Sequence, residues 1–333
     1  MKNKLLLCAL ILLIAVSGCS SGKENSKSTK NPKYYPLTGL EVEGDATNRP
    51  VGVMINNQVE ARPQTGLSQA DIVFEILTEG NITRFLAVFQ SEEPDVVGPV
   101  RSAREYFFEL AKGYDALYVY HGSAKKVEKK LQASGVDSIN GSFHDDDGKL
   151  FKREDFRVAP HNSYLLFGEV SDFAKSEGYE IESKQEPLTF LKKNAEIEGE
   201  QAHKVSISYS ASDNPLVEFV YEDAKEGYSR YNDKEQTVEL SNNKPIQVEN
   251  VFVIEAPHEI IDEEGRRSVD MKSGGKGLLF QKGKMQTVEW KNDNGRIIPL
   301  KEGAEIGFVP GQTWINVIPT SFGLDQTVEI SND

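Results

Sequence analysis

The chain has 333 residues, with 38 Lys and Arg against 52 Asp and Glu, and a formal charge of −14. That balance argues against non-specific binding to nucleic acid or to an anionic membrane surface. Its two cysteines are Cys8 and Cys19, so the remainder has no thiol for a disulfide, a cysteine nucleophile or a cysteine metal site.

The opening MKNKLLLCALILLIAVSGCS places Lys2 and Lys4 before an apolar run from Leu5 to Val16 that is too short for an ordinary membrane span. Val16-Ser17-Gly18-Cys19 closes the run in the manner of a bacterial lipobox. Residues 1–19 therefore read as a lipoprotein signal peptide, with Cys19 as the lipidated residue. Losing Lys2 and Lys4 with that segment takes the formal charge from −14 to −16. Residues 20–35 start as Ser, Lys, Asn and Gly with no apolar residue before Tyr34, and read as a flexible tether. The expected protein is a soluble body on a lipid anchor at the extracytoplasmic face of the cell membrane.

Residues 36–179 mix strands and helices. PVGVMIN reads as a strand, and DIVFEILTEGNITRFLAVFQ as two alternating runs joined at Gly80-Asn81, a hairpin. In GPVRSAREYFFELAKGY, Ser102 followed by Glu105 predicts a capping box, with Ala103, Tyr106, Phe107 and Leu110 at helical spacing and a stop at Gly113. A strand ALYVYHG follows. SAKKVEKKLQASG then reads as a helix capped by Ser123, with Ala124, Val127 and Leu131 inward and Gly135 at its end. A further helix is expected through NSYLLFGEVSDFAKSEG. Residues 180–202 turn polar and charged, as an inter-domain linker does. From 203 to 331 short alternating runs separated by Gly, Asn, Asp and Pro predict a mostly β domain. The fold class is therefore α+β: a mixed α/β domain, with a three-layer α/β sandwich as its alternative form, followed by a β-rich one.

A two-residue turn at Gly80-Asn81 puts position 77 opposite 84 and 75 opposite 86. Arg84 then shares a face with Glu75, Leu77 and Glu79, as an ordinary cross-strand ion pair or as part of a ligand site. Arg101 and Arg104 sit before or within the first turn of a helix, where N–H groups already favour an anion. Either a buried acid such as Glu75 or Asp71 balances them, or they clamp a carboxylate or phosphate from outside. His121 ends a strand and leads into a helix start, where open sheets place ligands. His161 precedes Asn162-Ser163 at another expected helix start. Asp145-Asp146-Asp147-Gly148 beside His144 reads as an Asp-Gly turn, because Lys149 and Phe156 fall where EF-hand oxygen ligands belong. His203 and His258 read as surface or core residues. SGGKG at 273–277 lacks the strand-loop-helix setting of a phosphate loop. No metal or cofactor is expected.

NRPVGVMINNQVEARPQTGLSQADIVFEILTEGNITRFLAVFQ, GPVRSAREYF, APHNSY and PGQTWINVIP together resemble the YerB-like lipoproteins of Gram-positive bacteria, which carry two tandem domains of unknown function. The resemblance covers nearly all of the chain after the signal. It implies two domains and an extracytoplasmic location, and no particular reaction. The positions matching its most recognisable motifs are Arg62, Arg84, Arg101, Arg104, His121, His161 and Asn162. The resulting expectation is a binding or adaptor module that recognises an anionic envelope component or an acidic partner segment through Arg84, Arg101 and Arg104. The alternative is a hydrolase or transferase acting on an envelope polymer, with His121 or His161 as general base.

Overall fold

The computed structural model describes residues 33–210 and 217–332, so the signal segment and Cys19 lie outside the described residues. In chain order the main elements of the first half are β1 (Val51–Asn56), β2 (Ile72–Leu77), β3 (Thr83–Phe89), α1 (Glu105–Gly113), β4 (Leu117–Tyr120), α2 (Lys125–Ser134), β5 (Ser138–Asn140), β6 (Ser163–Leu166) and α3 (Val170–Ser176). The second half adds β7 (Lys204–Ile207), β8 (Val217–Glu222), β9 (Gly227–Asn232), β10 (Asn250–Ala256), β11 (Gly275–Gln281), β12 (Lys284–Asp293), β13 (Arg296–Lys301), β14 (Thr313–Pro319) and β15 (Val328–Ser331). The protein is rich in sheet and has few helices.

Ten of these strands form the spine of one sheet, in the order β13-β12-β11-β10-β14-β2-β3-β1-β4-β5. β14, from near the carboxyl terminus, lies parallel to β10 on one side and to β2 on the other. Every residue of β2 and β14 is buried, as expected of central strands covered on both faces. The sequence division at 180–202 is therefore not a division of the sheet. That stretch itself packs: Leu188 and Ile197 are buried, and Phe190 bridges to Phe308.

On one face of the sheet, Tyr106, Phe107, Leu110 and Ala111 of α1 pack with Met54, Phe74, Leu86 and Phe252. On the other, Val205, Phe219 and Tyr228 of a second sheet pack with Val73, Phe85, Val253 and Trp314. Both layers draw on both halves of the sequence. Each fully buried side chain of this size is worth about 1.5–3 kcal/mol, which makes the shared core the main source of stability.

Four local expectations change. The hairpin between β2 and β3 pairs Ile76 with Arg84 and Leu77 with Thr83, with Thr78 and Ile82 closing a three-residue loop. This one-residue slip puts Arg84 and Glu75 on opposite faces. α1 starts at Glu105 with Arg104 as N-cap and no side-chain cap. The preceding backbone is held extended, because Arg101 N–H donates to Met54 O and Ala103 N–H to Gly122 O. The expected helix after Asn162 is strand β6, a short turn and then α3. His161 thus precedes a strand. α2 does end at Gly135, in the left-handed region, but its N-cap is Ala124 rather than Ser123.

Candidate functional site

The ladder directions bring the carboxyl ends of β1, β2, β4, β5, β10 and β14 to one end of the large sheet. Open sheets with parallel strands present ligand-binding loops at such an end. The loops there carry Asn57 and Gln58 after β1, Glu79 after β2, and His121 after β4. The segment Arg101–Arg104 lies beside them.

Arg84 and Arg104 converge on Glu79, an acid expected beside Arg84 but not as the partner of Arg104. Arg84 Nη2 donates to Glu79 Oε2 at 3.1 Å and Nη1 to Ser102 O at 3.1 Å. Arg104 Nε donates to Glu79 Oε1 at 2.9 Å, Nη2 reaches the same oxygen, and Nη1 donates to Ala103 O. Burial opposes ionisation of Glu79, yet Arg84 and Arg104 together outweigh it and hold the carboxyl below its ordinary value. Burial, followed by the charge of Arg104, pushes the Arg84 guanidinium down to about 10, so it still carries its charge at neutral pH.

Arg101 is different. Its Nη2 meets only Gln58 Oε1, at 3.4 Å, and its Nε is buried with no hydrogen-bond partner. Among the described residues its guanidinium is in no ion pair. Burial and then Arg104 lower its affinity for the proton. Three guanidinium groups therefore gather round one carboxylate, a local excess of two positive charges inside a strongly acidic protein.

Both predicted histidines border this cluster. His121 Nδ1 lies 2.8 Å from Ser163 Oγ, and its Nε2 is 4.0 Å from Asp145 Oδ1. Burial lowers its pKa, and Asp145 only partly opposes this. His161 Nδ1 accepts from Asn56 Nδ2 at 2.8 Å, which places the single proton of the neutral ring on Nε2. Burial, then the charge of Arg101, lowers its pKa as well. Both rings are neutral bases near pH 7. Ser163 is 2% exposed, so its hydroxyl supports the His121 ring and is shielded from a substrate.

Arg62 and Asn162 stand apart from the other predicted residues. Arg62 wraps the Asn57 carbonyl and pairs with Asp233 of the second half at 2.6 Å. Asn162 Oδ1 accepts from Arg153 at 2.6 Å and its amide nitrogen donates to Glu154 O, bracing the loop ahead of β6. The acidic run is a turn: Asp147 Oδ1 accepts the N–H groups of Lys149, Leu150 and Phe151. Among the described residues no group of His, Cys, Asp or Glu is arranged to hold a metal ion.

Beneath the site lies a buried network that the sequence reading missed. Glu75 pairs with Arg230 at 2.9 Å and accepts from Trp314 Nε1 at 2.9 Å and Thr83 Oγ1 at 3.0 Å. The Arg230 guanidinium sits 4.6 Å over the Trp314 ring. The available signal was Glu75 itself, because an acid inside the apolar run IVFEIL demands a buried partner.

Residues 37–180 match the family model described as the N-terminal domain of a protein of unknown function (DUF3048), and residues 205–315 match the model of its C-terminal domain. The chain is 44% identical over 321 residues to "Putative lipoprotein YerB" of Bacillus subtilis, covering 96% of each chain. The crystal structure of YerB protein from Bacillus subtilis aligns with a TM-score of 0.83 at 45% identity, over 90% of this chain and 100% of that one.

Proposed function

The chain belongs to the YerB family of two-domain proteins of unknown function, and on that footing we propose that it is a lipid-anchored extracytoplasmic binding or adaptor module. Its ligand is an anionic envelope component, either a phosphate-bearing polymer or an acidic segment of a partner protein. Support for the anchor comes from the lipobox at Cys19 and from similarity to a protein named as a lipoprotein. Among the described residues no helix is long and apolar enough to cross a membrane.

One observation carries the reading of the ligand. Arg84 and Arg104 share Glu79, and Arg101 has no acid of its own. An arginine held this way, beside a second cation and half out of water, gains most from an external carboxylate or phosphate that it binds through two hydrogen bonds. His121 and His161 stand by as neutral groups that donate or accept at the edge of the same site.

A poly(glycerol phosphate) chain and poly-glutamate serve as probes of the two ligand sources. Binding to one of them should weaken as salt is raised, because the contact is between charges. Arg101→Ala should lower that affinity about tenfold or more, the equivalent of about 1.4 kcal/mol. Equal binding by wild type and Arg101→Ala would rule out this role for the cluster.

The hydrolase alternative draws on the contact between His121 and Ser163. The burial of Ser163 argues against a serine nucleophile there, which leaves His121 or His161 acting as a base on water. Turnover of an envelope polymer that is lost in His121→Ala, with affinity retained, would favour that reading over binding.

A further inference from the structure

The Arg62–Asp233 ion pair stands between two clefts where the halves of the chain meet. The second cleft, about 230 Å³, has Val59, Pro63 and Val238 as apolar wall, with Gln64 and Arg230 also lining it. Gln64 and Arg230 are each only 1% exposed.

Their hydrogen bonding is incomplete in a complementary way. Gln64 Nε2 donates to Asn56 O at 2.9 Å and to Asn57 Oδ1 at 3.1 Å, which fixes the orientation of the amide. Its Oε1 is then buried and receives no donor. Arg230 spends Nη1 on Thr237 and Nη2 on Glu75 and Asn232, while its Nε is buried and donates to nothing. Asn57 Nδ2 bonds Asn232 Oδ1 at 3.2 Å, so Gln64, Asn57, Asn232 and Arg230 form one chain of hydrogen bonds. That chain ends in one unmet acceptor and one unmet donor, both on residues of the same cleft. Buried groups of this kind are nearly always paired, and an unmet one marks a place where a partner is gained.

A secondary amide supplies the missing pair, its N–H for Gln64 Oε1 and its C=O for Arg230 Nε. The apolar wall suits a methyl group beside that amide. At the mouth, Asp233, Glu235 and Gln236 offer acceptors to hydroxyl groups. We propose that this cleft binds the N-acetyl group of an amino-sugar polymer. A peptide carries the same amide, but peptides commonly dock by extending a strand edge, and the edge here, Glu235–Gln236, is two residues long. The proposal rests on the envelope-binding reading only in where the ligand is found. It uses none of the three clustered arginines.

The test uses the full chain with the tetramer of N-acetylglucosamine, its deacetylated counterpart, and N-acetyl-alanyl-alanine amide. Saturation-transfer NMR should show the acetyl methyl as the most strongly saturated group, and the deacetylated tetramer should bind at least tenfold more weakly. Val238→Trp, which fills the cleft from its apolar wall, should weaken the sugar at least tenfold while poly(glycerol phosphate) or poly-glutamate binding persists and the unfolding curve is unchanged. No binding of the acetylated tetramer at millimolar concentration would overturn the proposal. So would equal binding of the deacetylated form, tighter binding of the peptide amide, or indifference to Val238→Trp. Sugar binding with no binding of either polyanion would instead sink the arginine reading and leave the cleft standing.

Discussion

Glu75 and Arg230 lie 2.9 Å apart with side chains 0% and 1% exposed, the first from a central strand of the large sheet and the second from the sheet packed over it. Neither charge reaches water. The pair survives burial because Trp314, Thr83 and Asn57 hydrogen-bond the carboxylate and Thr237 the guanidinium, although Arg230 Nε donates to nothing. Arg230→Met should cost about 3–5 kcal/mol, since it strands the carboxylate. Glu75→Leu together with Arg230→Met should cost much less than the sum of the two single changes. Urea unfolding of the four proteins measures this coupling. Additive losses would mean the two charges do not depend on each other.

The same arrangement predicts that the two halves fold together. β14 lies between β10 and β2, so residues 33–180 expressed alone would bare one edge and part of both faces of β2, a strand with every residue buried. The fragment should be insoluble or lack fixed tertiary structure by near-ultraviolet circular dichroism, and the intact body should unfold in one transition. A soluble fragment with slow amide exchange in β2 would show that the halves are independent.

Much of this could be read from residue order, and the failures share a cause. Alternation and Gly80-Asn81 are enough to find the β2–β3 hairpin, and strands β7 to β14 of the second half show themselves as short alternating runs. Register was not legible. One extra loop residue moves Arg84 to the face away from Glu75, and no local signal counts loop residues. Ser102 and Glu105 did form a good local cap signal. Long-range bonds from Arg101 and Ala103 to neighbouring strands overrode it. Residues 163–166 read as part of a helix because a short buried run has no period of its own. The arginine cluster and the pairing of Arg84 with Glu79 are legible in the sequence, but that Arg104 shares the same acid is not, because only the folded hairpin brings it there.

Arg101 and Arg104 should separate in their effect on stability. Arg104→Ala removes two hydrogen bonds to a partly buried Glu79, while Arg84 remains to hold that acid. A loss of about 1–2 kcal/mol is expected, because a charge-assisted bond is involved and one partner persists. Arg101→Ala removes a cation with no acid and should change stability by about 0.5 kcal/mol or less, with a gain as acceptable as a loss. Thermal unfolding of both variants checks this. A large drop for Arg101→Ala would mean that it serves the scaffold.

The last prediction concerns two groups whose titrations oppose each other. Burial raises Asp71 to about 6 from an ordinary 3.8, despite hydrogen bonds from Ser91. Between those values the folded protein holds a proton that the unfolded chain releases, so stability falls as pH rises through the window, by roughly 3 kcal/mol in all. Burial lowers His258 to about 4 from an ordinary 6.5, although its Nδ1 bonds Ala256 O. There the unfolded chain binds a proton that the folded protein refuses, so stability falls as pH drops from 6.5 toward 4. The two slopes oppose each other over most of their shared range, with His121 and His161, also lowered, on the histidine side and Glu249, raised by burial, on the aspartate side. Asp71→Asn should remove the opposing slope and make the urea midpoint fall more steeply toward acid than in the wild type. His258→Asn should shift the slope the other way, so that the midpoint falls less toward acid than in the wild type, until Glu79, whose pKa is lowered, begins to lose its arginine pairing. Midpoints that run parallel in all three proteins would refute the opposing pair. A reversed order of the two slopes would refute the direction of both shifts.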